Sequence, residues 1–214
     1  MNDTDQLDLA ALLCSRLCHD LLSPVGALTN GLELLADERD AEMRQRCFEL
    51  LEQSARISAD KLKFFRLAFG AAGGFGESVP VDEAKAVTEA LVGDAKRVQL
   101  NWALTADRMP KGAVKVMLNF AQIGLDALVR GGTLDVGAES RNGASEIVVR
   151  AAGPRIAFDE TIGRALENRL DPGELTSRTA AAHMLALLAK QAGGGLQFMR
   201  SDDALVLGAV LPEG

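Results

Sequence analysis

No apolar run in this 214-residue chain approaches the roughly 20 residues that a membrane-spanning helix needs. Nor is there a basic block or a basic stripe interleaved with aromatics, because the lysines and arginines are mixed with acidic residues along a chain of net charge −7. That distribution argues against nucleic acid as the main ligand. Cysteine is scarce. Cys14, Cys18 and Cys47 are an odd number, which fits a reducing compartment better than a disulfide framework. The opening segment, Met1 to Leu7, is polar and acidic, unlike a signal or transit peptide. These absences lead to the expectation of a soluble, cytoplasmic protein that meets neither membrane nor nucleic acid.

Two long helical patterns come first. From about Leu7 to Ala36 apolar residues recur at Cys14, Leu17, Leu21, Leu28 and Leu35, with Ala10 before them and Leu32 beside the stripe. This is a heptad-like seam of the kind that packs helix on helix. Asp37 to Asp40 is a short polar turn. A second pattern from about Ala41 to Phe69 carries Cys47, Leu50, Leu51, Ile57, Leu62, Phe64 and Phe65. Helices joined so tightly form an antiparallel hairpin. One hairpin cannot bury two apolar faces, so two are expected to pair across a two-fold axis into a four-helix bundle, making a homodimer.

Gly70 to Pro80 is glycine-rich and marks the expected domain boundary, with 1–72 as the helical hairpin and 80–214 as a second domain. In the second domain the patterns predict helices over Asp82 to Lys96, Lys111 to Val129, Glu160 to Asn168 and Arg178 to Ala192. Strands are predicted near Val98 to Leu104, Thr133 to Ala138, Glu146 to Arg150, Leu196 to Arg200 and Ala204 to Leu211. The fold class is α+β, a sheet with helices on one face.

With only two histidines in the chain, each can be weighed individually. His19 lies in S-R-L-C-H-D-L-L-S-P-V, Ser15 to Val25. With Cys14 and Leu21 at core heptad positions, it falls at the outermost position, about 150° from the seam at 100° per residue. A neutral imidazole is a good nucleophile near pH 7, its reference pKa being about 6.5, and the phosphoramidate it forms holds a transferable phosphoryl group. Asp20 is placed to accept a hydrogen bond from the non-attacking nitrogen and favour the developing positive charge. Pro24 removes one helical hydrogen bond, so a bend is expected just after the histidine. Cys14, Cys18 and His19 are poorly spaced for a metal, and no second ligand cluster accompanies them; no metal site is expected.

The run H-D-L-L-S-P resembles the phosphoacceptor box of two-component histidine kinases. His19, Asp20, Leu21, Ser23 and Pro24 match, and Leu22 stands where a basic residue is usual. The resemblance implies that Ser23 helps position a water for dephosphorylating a partner. The second domain is similar in its order of elements to the ATP-binding domain of those kinases. Leu118 to Leu134 resembles their asparagine box: Asn119 matches, but Ile123 replaces the magnesium-binding asparagine. Val148 to Ile156 resembles the first glycine box, with Ala151 for the adenine-reading aspartate and Arg155 for a glycine. The segment Thr176 to Met184 contains no phosphate-cradling glycine.

A helix pair with an acceptor histidine beside a degraded nucleotide site resembles the ChpT-type histidine phosphotransferases of alphaproteobacteria, over essentially the whole chain. The resemblance implies a histidine phosphotransferase of the two-component phosphorelay without autokinase activity. Its phosphoryl donor would be the receiver domain of a CckA-type hybrid histidine kinase. Its acceptors would be response regulators of CtrA and CpdR type that govern the cell cycle. No cofactor is expected on this chain; Mg²⁺ would arrive in the receiver partner. An ATP-dependent kinase with an atypical pocket and a non-catalytic receiver-docking scaffold are the alternative readings.

Leu12 and Gly26 share the helical face of His19 and, with Arg16 and Leu22 read as exposed, form a candidate partner-docking surface. His183 sits in an alanine- and leucine-dense helix and is read as structural and partly buried. Gly193 to Gly195 reads as a helix stop leading into a strand, and Trp102 as core.

Overall fold

A computed structural model describes residues 3–70, 76–95 and 97–213. The two long helices are α1 (Asp3–Asp37) and α2 (Ala41–Ala68). Asp40 opens α2 as its N-cap, accepting from the backbone N–H of Glu42 at 3.0 Å and of Met43 at 2.9 Å; a carboxylate there satisfies N–H groups that have no helical partner. Then come β1 (Ser78–Pro80), α3 (Val81–Asp94), β2 (Val98–Leu104), β3 (Arg108–Pro110) and α4 (Lys111–Ala127). The chain closes with β4 (Gly132–Arg141), β5 (Ala144–Ala152), α5 (Glu160–Leu166), α6 (Ala180–Gln191), β6 (Gly195–Arg200) and β7 (Ala204–Pro212).

Five strands form one sheet in the order β2-β4-β5-β7-β6, parallel between β2 and β4 and antiparallel elsewhere. Along β5, Ile147, Val149 and Ala151 are buried while Glu146, Val148 and Arg150 are exposed. That alternation is what a sheet covered on one face requires. The β4–β5 hairpin turns at Asn142-Gly143, both with positive φ (53° and 73°), the pair that a two-residue turn of this hand demands. Gly193, at φ 70°, stops α6 ahead of β6 as anticipated.

Helix α4 lies directly on the inner face. A Cβ placed on Gly124 would stand 2.9 Å from Leu134 Cδ1 and 3.4 Å from Ala151 Cβ. The core formed there takes in Val114, Met117, Leu134, Ile147, Leu185 and Leu207, with Trp102 half-buried against it. It also takes in Phe64, Leu67 and Ala68 from the end of α2. The hairpin is therefore packed into the layer that covers the sheet.

Every long helix and strand anticipated from the sequence is present with shifted ends. The two three-residue strands β1 and β3, which pair antiparallel, were not anticipated. They are too short to show a period of two. Of the glycine-rich segment, residues 71–75 lie outside the described residues. Its end, Ser78 to Pro80, is strand β1.

The hairpin seam needs correction. Leu17, Leu21, Leu28 and Leu35 are partly buried on the α2-facing side, joined there by buried Pro24 and Gly31, but Cys14 and Ala10 are exposed. Exposed too are Leu50 and Leu62 of α2. The reason is angular. Taking the α2-facing side of α1 as zero, Leu7, Cys14, Cys18, Leu22, Val25 and Leu32 form a second stripe about 95° round the helix at 100° per residue. All six are exposed. On α2, Phe48, Ala55, Ala59 and Leu62 form a matching exposed stripe about 90° from its α1-facing side. For antiparallel right-handed helices these two stripes fall on one side of the hairpin. The opposite side carries Leu9 and Phe64 into the rest of the molecule.

Truncating Phe64, which is 1 % exposed, tests how far α2 belongs to the common core. Phe64→Ala is expected to lower unfolding free energy by about 3–5 kcal/mol in urea titration. A loss below about 1 kcal/mol would show that α2 does not brace the sheet layer.

Candidate functional site

The site is built on one turn of α1. Arg16 and Asp20 are four residues apart, hence neighbours on one face of the helix. The Arg16 guanidinium donates from Nε to Asp20 Oδ2 at 2.7 Å. The other oxygen, Oδ1, lies 3.2 Å from Nδ1 of His19. One carboxylate thus faces both a fixed cation and the imidazole. The His19 side chain is 82 % exposed against 21 % for Asp20. With Nδ1 turned to Asp20, Nε2 is the ring nitrogen left for an incoming reactant.

Pro24 sits inside α1, which continues unbroken through it. Having no N–H, it leaves the carbonyl of Asp20 without its helical donor. Lys61 of α2 supplies one: its ammonium donates to that carbonyl at 2.9 Å. The same helix pair that carries the histidine therefore repairs the proline's defect next to it.

A third element completes the cluster. Arg16 Nη2 is 3.5 Å from Asp126 Oδ2 on α4, and Gln122 donates to Asp126 Oδ1 at 2.8 Å. Arg16 thus stands between two carboxylates, one on its own helix and one on the layer over the sheet. Arg16, Asp20, Lys61, Phe65, Leu125 and Asp126 line a groove of about 370 Å³.

The charges follow from this placing. Burial would raise the pKa of Asp20, but Arg16, the His19 hydrogen bond and Lys61 together hold it below the usual carboxylate value. Burial would lower Arg16, yet its two carboxylate partners raise it. Asp126 is raised, first by loss of water around it and further by the Asp20 charge, against the pull of Arg16 and Gln122. About half of its side chain still meets solvent.

The sequence-predicted residues separate into two groups. His19 and Asp20 meet at hydrogen-bonding distance. Ser23 is exposed on the following turn, and Leu22 is 69 % exposed. Gly26 is half-buried with open space where a Cβ would lie. Of the other docking residues, Leu12 is partly buried, and Arg16, read as exposed, is instead part-buried and engaged by Asp20 and Asp126. Their face of α1 turns toward the sheet layer. Lys61, Gln122 and Asp126 were missed. The Arg16/Asp20 spacing was visible in the sequence; partners 41 and 110 residues from the ends of that pair were not.

Asn119 is buried and its amide donates to the carbonyls of Ala68 at 3.2 Å and Lys115 at 2.9 Å. Ile123 and Ala151 are buried; Arg155 is exposed. His183 is half-buried, its Nδ1 without a partner, beside a cavity of about 270 Å³. Its pKa is lowered by burial. Among the described residues no group of three or more His, Cys, Asp or Glu side chains is arranged to hold a metal ion. None of their helices is long and apolar enough to cross a membrane.

Comparison with known proteins adds three findings. Residues 81–204 match the family model of the histidine phosphotransferase C-terminal domain. The chain is 35% identical over 208 residues to the protein phosphotransferase ChpT of Brucella abortus (strain 2308), covering 95% of each. A solved bacterial phosphotransferase superposes with a TM-score of 0.82 at 31% identity, covering 95% of this chain and 96% of that one.

The two carboxylates that flank Arg16 should titrate in a fixed order. Asp126, with its raised pKa, should protonate first as pH falls, which lifts its penalty on the folded state. Asp20, with its lowered pKa, contributes stability that is present above its unfolded value and lost only as pH falls through the lower folded one. Carboxyl ¹³C NMR titration should place Asp126 above and Asp20 below the ordinary aspartate value; the reverse order would refute the charge arrangement.

Proposed function

From the premise that the chain belongs to the histidine phosphotransferase family, we propose that it carries a phosphoryl group on Nε2 of His19 between aspartates of receiver domains. The family makes it a phosphotransferase. The observation that carries the residue assignment is the exposed imidazole with Nδ1 held against the Asp20 carboxylate.

The chemistry runs as follows. Neutral His19, with its proton on Nδ1 donated to Asp20 Oδ1, attacks the phosphorus of a receiver aspartyl phosphate through Nε2. The N–P bond forms as the bond from phosphorus to the receiver's carboxylate oxygen breaks. The aspartate leaves with the electron pair. Positive charge that develops on the ring is stabilised by Asp20, which Arg16 and Lys61 keep ionised. Reversal onto a second receiver completes the relay. Mg²⁺ bound in the receiver offsets charge on the phosphoryl oxygens, so this chain needs no metal of its own. Ser23, exposed one turn on, is the residue we assign to positioning water in any dephosphorylation.

We further propose the division of labour in which residues 1–72 dimerise and present the histidine while residues 80–214 form an ATP-binding-like domain that takes no nucleotide. Apolar, buried Ile123 and Ala151 at the positions of the magnesium-binding asparagine and the adenine-reading aspartate support that reading. The paired exposed stripes on one side of the hairpin support a four-helix bundle between two copies. His19 lies about 100° from the open stripe of α1, so such a bundle leaves it accessible. The donor in this reading is the receiver of a CckA-type hybrid kinase, the acceptors are regulators of CtrA and CpdR type, and the setting is cytoplasmic.

Two measurements test this. His19→Ala should abolish acceptance of label from a phosphorylated receiver, without added nucleotide, while stability stays within about 0.5 kcal/mol as for other surface changes. His183→Ala should transfer normally. Acid-labile label on His19→Ala would move the acceptor elsewhere.

Dimerisation is tested at the open stripe, where Val25 and Leu32 are 48% and 59% exposed. The double variant Val25→Lys/Leu32→Lys should sediment as a folded monomer where the parent sediments as a dimer. A parent chain that is monomeric at micromolar concentration would end the bundle reading.

A further inference from the structure

The sheet layer reaches the histidine helix through one charge. Asp126 and Gln122 project from α4, and Asp126 meets the outer Nη2 of Arg16 while Nε of the same guanidinium holds Asp20. We propose that Asp126 is a positioning residue for phosphoryl transfer: by anchoring Arg16 it holds the Asp20 carboxylate in the orientation that keeps the His19 proton on Nδ1 and the Nε2 lone pair outward. This rests on the reading of His19 as the acceptor.

Three observations converge on it. First, the ion pair is half-exposed and 3.5 Å long, a geometry that contributes little to stability, about 0–1 kcal/mol at most. Stability alone does not account for a carboxylate there. Second, Arg16 stands between two carboxylates, Asp20 at 2.7 Å and Asp126 at 3.5 Å, so it is the cation that offsets the charge of both. Third, Asp20 is shared: Oδ2 belongs to Arg16 and Oδ1 to His19. Rotation of that carboxylate to follow a mobile guanidinium would take Oδ1 off the ring. Arg16 unanchored can swing into the groove it lines, because a long side chain has many rotamers. Anchored at both ends, it cannot. Around metal sites, outer partners that orient a ligating histidine change affinity or activity by about 10- to 100-fold when removed, and the lower end of that range is taken for this orienting contact.

This arrangement makes the sheet layer a part of the acceptor site without touching the reacting atoms. The charged and titratable groups around Asp20 are His19 and Arg16 on its own helix, Lys61 from α2 and Asp126 from α4. Asp126 comes from the layer that covers the sheet, as does Arg178, just ahead of α6, which lines the adjoining pocket with Arg16, Asp20 and Asp126.

The experiment uses the full chain. Asp126→Asn keeps size and can still accept from Arg16 but removes the charge; Asp126→Glu restores it. The rate of transfer from a phosphorylated receiver should fall about tenfold in the Asn variant and recover in the Glu variant. Long-range ¹H–¹⁵N NMR of His19 in the unphosphorylated protein should show the Nδ1–H tautomer dominant in the parent and a growing Nε2–H fraction in the Asn variant. Sedimentation should not change, and the melting temperature should not fall. The proposal requires both the slower transfer and the tautomer shift. Parent-like transfer overturns it, and slower transfer with an unchanged tautomer overturns it too, making Asp126 a docking residue instead. His19→Ala in parallel separates the two levels: if that variant still accepts phosphate, the acceptor reading fails, whatever the tautomer ratio does.

Discussion

Burial of Phe64, Leu67 and Ala68 in the core that covers the sheet fixes α2 against α4, and everything at the candidate site depends on it. Helix α1 has few buried residues of its own. Leu9 is its one fully apolar anchor, and the rest of its inward face is half-buried leucine, Pro24 and Gly31 against α2. Its position is therefore inherited from α2. At Gly31 the two helices come so close that an added Cβ would meet the Leu51 side chain at 2.9 Å. A shift of α2 relative to α4 would carry Arg16 away from Asp126, a contact already at 3.5 Å. Core packing thus sets a distance between two surface charges.

Helix α1 has to serve several neighbours at once, and its sequence assigns each a separate sector. Leucines near 0° meet α2. The stripe near 95° stays open. Leu9, Arg16 and Asp20, near −80°, turn to the sheet layer, and His19 lies beyond them, pointing away from α2. A single apolar period does not resolve sectors less than 100° apart. That is why Cys14 reads as part of the hairpin seam from the sequence and lies outside it in the fold. The outward placing of His19 survives the error, since either choice of seam leaves it on the far side.

The same physics explains what else was legible. Long helices and the five-stranded sheet follow from apolar patterns sustained over several residues, and along Ala144–Ala152 burial alternates strictly even though Ser145 is buried and Val148 exposed. The His19–Asp20 pair was legible because adjacency in sequence guaranteed adjacency in space. Lys61 and Asp126 were not, because no local pattern marks which lysine of a helix or which aspartate of a long apolar helix will meet a site folded from elsewhere. Asp126 lies within the stretch that resembles a box without its magnesium-binding asparagine; that resemblance gives roles to Asn119 and Ile123, and three residues beyond Ile123 stands a charge that faces the other way, toward α1.

Pro24 shows how the site's defects and its electrostatics are linked. A proline inside a helix leaves a carbonyl without a donor, and here that carbonyl belongs to Asp20. A neutral donor would satisfy it equally well as a hydrogen bond. Lys61 does so with a positive charge, which also lowers the pKa of the Asp20 side chain. The cation has a place in the fold because the proline made one for it. Arg16 holds Asp20 from the carboxylate end and Lys61 from the carbonyl end, so the residue beside the histidine is fixed at both of its polar groups. The imidazole itself remains the solvent-facing member, which is what a group that must meet successive partners requires.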